Sequence, residues 1–300
     1  MGEVTEMYQV EDYFEAQTVE EALTLLAGDP ERQIIAGGTD LLLKMRDGVV
    51  ESAKLVSIRN IGKLQSISLD QEKGITIGPL ATFADLADSD LINSQIPILA
   101  EAALTVGGPQ IRKMATVGGN ICNGVPSADS ASPLLALDAL LKLQHSGEER
   151  VVPLKDFYRG PGRVDLRPGE LLTGILINET SYRSFGGCYI KFSPRKAMDL
   201  AIIGVAVTCR VAEKTRFEQV RIALGVAGPT PLRCPGAENF ARGRGADSET
   251  LLKTGKLALD SAQARDSHRA SREYREHLIK ELTGRALKTA FIRAGGEIDA

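Results

Sequence analysis

Histidine is scarce in this chain: His145, His268 and His277 are the three in 300 residues, and they are dispersed. No H-E-x-x-H pair occurs, so a helix-borne zinc site is not expected. Cysteine is almost as rare. Cys122, Cys188, Cys209 and Cys234 stand too far apart for the short ligand spacings of a cluster or a zinc site. They read as reduced, mostly buried thiols. There is no G-x-S-x-G nucleophile elbow and no G-x-x-x-x-G-K-[ST] loop. Gly243-Arg-Gly245 lacks the third glycine of a dinucleotide fingerprint and follows a helical pattern instead of a strand. Long apolar runs are missing too: the longest, residues 200–209, is half of the roughly 20 residues that a spanning helix needs. The first fifteen residues are acidic and hold no apolar stretch, so a secretory signal is not expected and the reading is a cytoplasmic protein. An excess of one charge is also absent. Thirty-six basic residues against 39 acidic ones leave a net charge of −3, which argues against nucleic acid and anionic membranes as partners. An anionic ligand would have to be held by local donors.

What remains is an ordinary globular composition, 43% hydrophobic and 25% charged, in a chain long enough for more than one core. Thr18-Val-Glu-Glu21 is a capping box that opens a helix ended by Gly28-Asp-Pro30. A buried strand over 33–36 runs into Gly37-Gly38-Thr39-Asp40, a short helix over 41–45 follows, and 54–58 reads as a second strand. From residue 64 short strands alternate with turns (66–69 and 75–78). Helices are expected from Thr82 to about 91 and over 97–106, then a glycine-punctuated stretch over 110–122, then a helix begun at Ser132-Pro133. Further strands are expected at 140–144 and 171–177. Beyond residue 184, strands at 188–192, 204–211 and 220–226 suggest a three-stranded antiparallel sheet. Helices follow around Ala237 and over 249–264 and 271–294. The class is α+β, with units at 1–60, 61–182 and 183–300.

Glycine is mildly enriched, at 30 residues, and five Gly-Gly pairs occur: 37–38, 107–108, 118–119, 186–187 and 295–296. Composition alone gives about three such pairs, so only context can single any of them out. Two share a grammar. Gly37-Gly38 leaves an apolar strand toward Thr39 and Asp40. Gly118-Gly119 follows Ala115, Thr116 and Val117 and leads, by way of Asn120 and Asn123-Gly124, to Ser127 and Asp129. Glycine lets backbone N–H groups approach a phosphate closely, and hydroxyl and amide side chains add donors. The same residues also make ordinary tight turns. The residues alone leave open whether the pair is a diphosphate cradle or two turns.

At these positions the sequence resembles the FAD-binding (medium) subunit of the molybdenum hydroxylases. AGGTDLLLKMRDG (36–48) and TVGGNICNGVPSADSASPLLALDA (116–139) look like its two FAD-binding segments. Residues 108–120, 192–204, 224–234 and 271–287 are also similar to it, so the likeness covers nearly the whole chain. The bacterial xanthine dehydrogenase branch is the best match. The resemblance implies a two-part FAD-binding domain of the vanillyl-alcohol-oxidase type, followed by a C-terminal domain with a three-stranded antiparallel sheet and a helical bundle.

It also implies roles. Gln33, Ile34, Ile35, Ala36, Gly37, Gly38, Thr39 and Asp40 match the first pyrophosphate segment; Ala115, Thr116, Val117, Gly118 and Gly119 match the second. Asn120 and Asp129 match positions near the ribityl and flavin part. Leu171 matches a backbone contact and Lys191 a lysine beside FAD. Arg195 and Asp199 bound a loop next to the flavin that in relatives influences access of NAD or oxygen. Two departures stand out. Val106 occupies the place where animal xanthine oxidoreductases set an aromatic ring against the flavin, and the cysteine-rich insertion of the 4-hydroxybenzoyl-CoA-reducing members is missing. The implied function is electron transfer. Electrons would come from a molybdopterin-binding large subunit through [2Fe-2S] clusters on a small subunit, reach FAD here and pass to NAD, in a heterotrimer or a dimer of heterotrimers. Xanthine or a related purine is the expected substrate. Aldehyde, carbon monoxide, nicotinate or another N-heterocycle is the alternative, and a stand-alone flavin dehydrogenase a more distant one. The flavin carries the redox chemistry, so no catalytic side chain and no metal ligand is expected in this chain.

Overall fold

The computed structural model describes residues 8–70 and 74–298. Of the acidic first fifteen residues, 1–7 lie outside the described residues. The first helix starts where Thr18 and Glu21 put it. The Thr18 hydroxyl accepts the Glu21 N–H at 3.1 Å, and the Glu21 carboxylate reaches one residue further back than expected, to the Gln17 N–H at 2.8 Å. Three strands, β1 (Val10–Glu15), β2 (Gln33–Ile35) and β3 (Ala53–Ser57), form a parallel sheet in the order β1-β3-β2. Helix α1 (Val19–Gly28) buries Val19, Ala22, Leu23 and Leu26 in a core shared with Val56 and Ile58. Helix α2 (Leu41–Arg46) links β2 to β3. Strand β1 had not been expected. Five of its six residues are exposed, so it lacks the alternation that reveals a half-buried strand.

The central part is a five-stranded antiparallel sheet. Its members are β4 (Ile67–Asp70), β5 (Gly74–Ile77), β6 (Leu140–His145), β7 (Glu148–Pro153) and, after a small ribbon of β8 (Tyr158–Gly160) and β9 (Arg163–Val164), β10 (Leu171–Ile177). Their order is β4-β5-β10-β6-β7. Between β5 and β6 run α3 (Phe83–Asp88), α4 (Asp90–Gln95), α5 (Pro97–Leu104), α6 (Pro109–Met114), α7 (Val117–Cys122) and α8 (Ala131–Ala136). They pack Phe83, Leu86, Leu99 and Leu134 against Ile75, Ile77 and Ile175 of the sheet. The single helix expected from Thr82 to about 91 is two, because Ser89 caps the second by accepting the Ile92 N–H. The glycine-punctuated stretch 110–122 is likewise two short helices, one begun by Pro109 and the other capped by Thr116.

After α9 (Glu179–Tyr182) comes the C-terminal domain, whose strands β11 (Gly186–Phe192), β12 (Ile203–Ala212) and β13 (Arg216–Gly225) are the three expected. A two-residue β14 (Leu232–Arg233), too short to leave a sequence pattern, adds a fourth to the edge. Helices α10 (Pro235–Ala241), α11 (Ser248–Ala258) and α12 (Arg272–Arg293) cover one face of this sheet, where Phe217 and Phe291 meet edge to face at 4.7 Å. The other face packs onto the central part: Tyr189, Ala206 and Ala223 share the core of Phe83 and Leu99. Alternation along β11 therefore sends Cys188 and Ile190 toward α12 and turns Tyr189 and Lys191 toward the central part. Among the described residues no helix is long and apolar enough to cross a membrane.

Candidate functional site

The first glycine segment is the turn between β2 and α2. Gly38 takes φ +73°, which reverses the chain, and the backbone N–H groups of Gly37, Gly38, Thr39 and Asp40 find no acceptor among the described residues. Four successive donors are left free in a turn that is only partly covered, with Asp40 exposed. This is the arrangement that an anion would complete.

The second segment differs from the expected loop. Its N–H groups are already in use: Val117 donates to the Ala81 carbonyl at 3.0 Å, Gly118 to that of Pro79 at 2.9 Å and Gly119 to the Thr116 hydroxyl at 3.2 Å. The segment is thus the capped first turn of α7. Within each pair the two glycines do different things. A Cβ on Gly37 would overlap the Met114 carbonyl, and one on Gly118 would overlap Pro79, so these two let backbones touch. The Gly37 contact sets the two segments side by side. Lys44, which donates to the Asn123 side chain at 2.7 Å, ties them again. Gly119 is exposed, and a Cβ there would meet the Thr116 oxygen at 2.9 Å.

From Gly119 a chain of polar contacts leads across the fold. Asn120 accepts the Ser130 hydroxyl at 2.7 Å, and Asp129 is the next residue back. Asp129 is buried and accepts on both oxygens, from the Tyr189 hydroxyl at 3.0 Å and from Lys191 Nζ at 2.7 Å. Lys191 also donates to the Thr105 carbonyl at 3.0 Å. Both side chains of the ion pair are under a tenth exposed. Burial pushes the Asp129 carboxyl above the ordinary carboxylate range, while the charge and hydrogen bond of Lys191 and the Tyr189 hydroxyl pull it back. Burial and the neighbouring carboxylate hold the Tyr189 phenol protonated well above pH 10.

Lys191 stands at the wall of a cleft of about 460 Å³ whose other side is the loop from Ser193 to Asp199, with Thr105 at its edge. The loop is held at its base by Ile202 N–H donating to the Phe192 carbonyl at 2.8 Å, and the Arg275 guanidinium donates to the Ile202 carbonyl. Inside the loop Asp199 accepts from the backbone N–H of Arg195 and of Leu200, both at 3.0 Å. Met198, in the left-handed region at φ +54°, donates its N–H to the Gly107 carbonyl at 3.2 Å. A third Gly-Gly pair therefore belongs to the neighbourhood of the site, as the surface on which this loop leans. Sequence reading had given it no role.

Two expected positions stand apart from this line. Leu171 is buried at the start of β10, packs with Leu80 in the α1 core and pairs with Gln144 of β6. Val106 packs at the border of the central core, and its carbonyl accepts from Arg112. Tyr189 and Thr105 had escaped sequence reading. Tyr189 was findable, because it lies two residues before Lys191 on one strand and so shares its face. The cysteines are free thiols, and burial pushes those of Cys122, Cys209 and Cys234 up to about 12, which makes them inert.

Comparison with known proteins agrees with this layout. The family described as the FAD binding domain in molybdopterin dehydrogenase matches residues 6–178, and the CO dehydrogenase flavoprotein C-terminal domain matches 188–290. The xanthine dehydrogenase FAD-binding subunit of Escherichia coli O157:H7 is 37% identical over 97% of this chain and 100% of its own length. The nicotinate dehydrogenase FAD-subunit of Eubacterium barkeri is 30% identical over 90% of this chain and 94% of its own length. In the solved structure of reconstituted CO dehydrogenase from Oligotropha carboxidovorans, a chain superposes with a TM-score of 0.89 at 29% identity, covering 94% of this chain and 98% of that one. Two adjoining domains of the same kinds, in the same order and over the same length, leave one assignment: the chain belongs to the FAD-binding subunits of the molybdenum hydroxylases and is an oxidoreductase component.

Proposed function

We propose that this chain is the flavin-bearing electron-transfer subunit of a xanthine-type dehydrogenase. The identity to a xanthine dehydrogenase FAD-binding subunit over its entire length supports that branch, at 37% against 30% for the nicotinate relative. The observation that carries the cofactor reading is the row of four N–H groups from Gly37 to Asp40 that have no acceptor among the described residues, beside a second segment with an exposed Gly119. The residues present fit FAD. Gly37, Gly38, Thr39 and Asp40 would bind one side of the diphosphate. Thr116, Gly119 and Asn120 would border the other, and Asp129, Lys191 and the backbone of Leu171 would lie toward the flavin. When bound, FAD supplies the ability to take single electrons and give up a pair.

The tasks left to the protein are binding, orientation and shielding. Free main-chain donors hold the diphosphate in a chain of net charge −3. The Asp129–Lys191 pair places one cation at the cleft wall without adding net charge there. The loop from Ser193 to Asp199 limits what reaches the cleft. With FAD bound, electrons would be supplied by [2Fe-2S] clusters of a small subunit and a molybdopterin-binding large subunit, and NAD would be the acceptor. The complex is a cytoplasmic heterotrimer or a dimer of heterotrimers, and the purine is chosen by the large subunit. The test is to isolate the chain with its partners, record its visible spectrum and assay purines, nicotinate and aldehydes with NAD⁺. An oxidised-flavin spectrum and NAD⁺-coupled xanthine turnover are expected. A complex without flavin would overturn the reading, and turnover of another substrate alone would replace the purine branch.

A further inference from the structure

The Lys191 ammonium carries three N–H donors, and the protein uses two of them, on Asp129 and on the Thr105 carbonyl. Lys191 lines the cleft, so the third donor is the one available to a ligand there. Which way it points is decided by the carboxylate beneath it. Asp129 divides its two oxygens between two donors, Oδ2 for Lys191 and Oδ1 for the Tyr189 hydroxyl. Tyr189 is itself fixed: it is buried, protonated, and its hydroxyl stands over Gly204, where a Cβ would come within 3.1 Å of it. Without that hydroxyl, Oδ1 would lack its partner in a buried site, and the third N–H of Lys191, whose Nζ already lies 2.7 Å from Oδ2, is a donor within the same ion pair.

We propose that Tyr189 is a positioning residue for the flavin: by occupying one oxygen of Asp129 it keeps the Lys191 ammonium from being gripped by both, and so keeps one N–H turned to the cleft, where it donates to the bound flavin and favours its electron-rich reduced form. The proposal rests on the reading that this chain holds FAD. Tyr189→Phe removes the hydroxyl and nothing else. Asp129 then draws the ammonium back, and the preference for reduced over oxidised flavin falls in the same direction as in Lys191→Gln, but by less.

The measurement is the midpoint potential of the bound flavin, by spectroelectrochemistry on the complex with its partner subunits, together with FAD content per chain. A charge-assisted hydrogen bond lost in Lys191→Gln is expected to cost about tenfold in that preference, or about 30 mV for a two-electron couple. Tyr189→Phe is expected to keep its FAD and to shift the potential a few-fold in the same negative direction. Gly204→Ala provides a second variant that displaces the hydroxyl without deleting it, and the same direction is expected. A wild-type potential in Tyr189→Phe or in Gly204→Ala beside a shifted Lys191→Gln would overturn the role of Tyr189. A wild-type potential in Lys191→Gln would overturn the contact itself. Absence of FAD from the wild-type complex is a different failure: it defeats the functional reading and the proposal with it.

Discussion

Gly119 and Gly118 are neighbours with opposite surroundings, and substitutions should separate them. A valine at 119 would press on the Thr116 oxygen that caps α7 and cover an exposed face beside Asn120. Gly119→Val is expected to leave less than about a tenth of the wild-type FAD content after gel filtration, since a β-branched side chain leaves no close approach for a diphosphate. Stoichiometric FAD in that variant would refute the placement. Gly118→Ala should instead lower stability, by about 1–3 kcal/mol in denaturant unfolding, because its Cβ overlaps Pro79. Asp199 offers a third contrast. Partial burial works against its charge, but the Arg195 side chain and the Arg195 and Leu200 N–H groups hold the carboxyl below the ordinary range. It stays ionised above about pH 3.9, so the loop order that it provides is complete there and is lost only as pH falls lower. Asp199→Ala should change the ratio of NAD⁺ to oxygen reactivity more than FAD content. Wild-type rates with both acceptors would count against it. At this scale the sequence singled out two glycine pairs by their context, but not the pair at Gly107 nor how the work is divided within each pair. That division depends on which neighbour, Met114 or Pro79, the fold brings up behind the glycine.

The elements that hold the central sheet together make a pH prediction of their own. Arg150 on β7 donates to Glu170, just before β10, at 2.7 and 2.8 Å, and to Asp165 at 2.7 Å. Burial alone would raise the Glu170 carboxyl, but Arg150 and the Arg167 N–H outweigh it and hold it below the usual glutamate range. A lowered carboxyl stabilises the fold above its unfolded value, about 4.3, and the stabilisation disappears as pH falls through the folded value. Glu170→Gln is expected to cost about 2 kcal/mol at pH 7 and to flatten the loss of stability below pH 4. Parallel acid-unfolding curves for the two proteins would contradict this. Strand β7 had not been foreseen, and for the same reason as β1: an outer strand with charges facing water carries no apolar alternation to read. Strand β10 was bounded to the residue, 171–177, because it lies inside its sheet and is apolar along its length. Helix starts were legible at Thr18, Thr82 and Pro97, where a hydroxyl or a proline marks them, but not at Pro109 or Thr116. They were misplaced at Ser89, where a second cap interrupts a continuous pattern.

For the whole molecule, the α+β class and the C-terminal domain of a sheet backed by helices followed from the order of apolar runs and from the resemblance at residues 36–48 and 116–139. The packing of one face of that sheet onto the central part did not, because the pairing of Tyr189 with Asp129 spans sixty residues. An isolated, FAD-loaded chain is expected to show no purine oxidation in steady-state assays, since on the proposed reading the purine is bound by the large subunit. Turnover by the chain alone would point to a stand-alone dehydrogenase. The four main-chain donors at Gly37–Asp40 have a practical corollary. Peptide dipoles cannot lose a proton and carry no mobile counter-ions to exchange, so the grip on the diphosphate should be nearly blind to ionic strength. FAD dissociation constants measured from 0.05 to 1 M salt should stay within about threefold, whereas a cradle built from lysines would loosen steeply as its charges were screened.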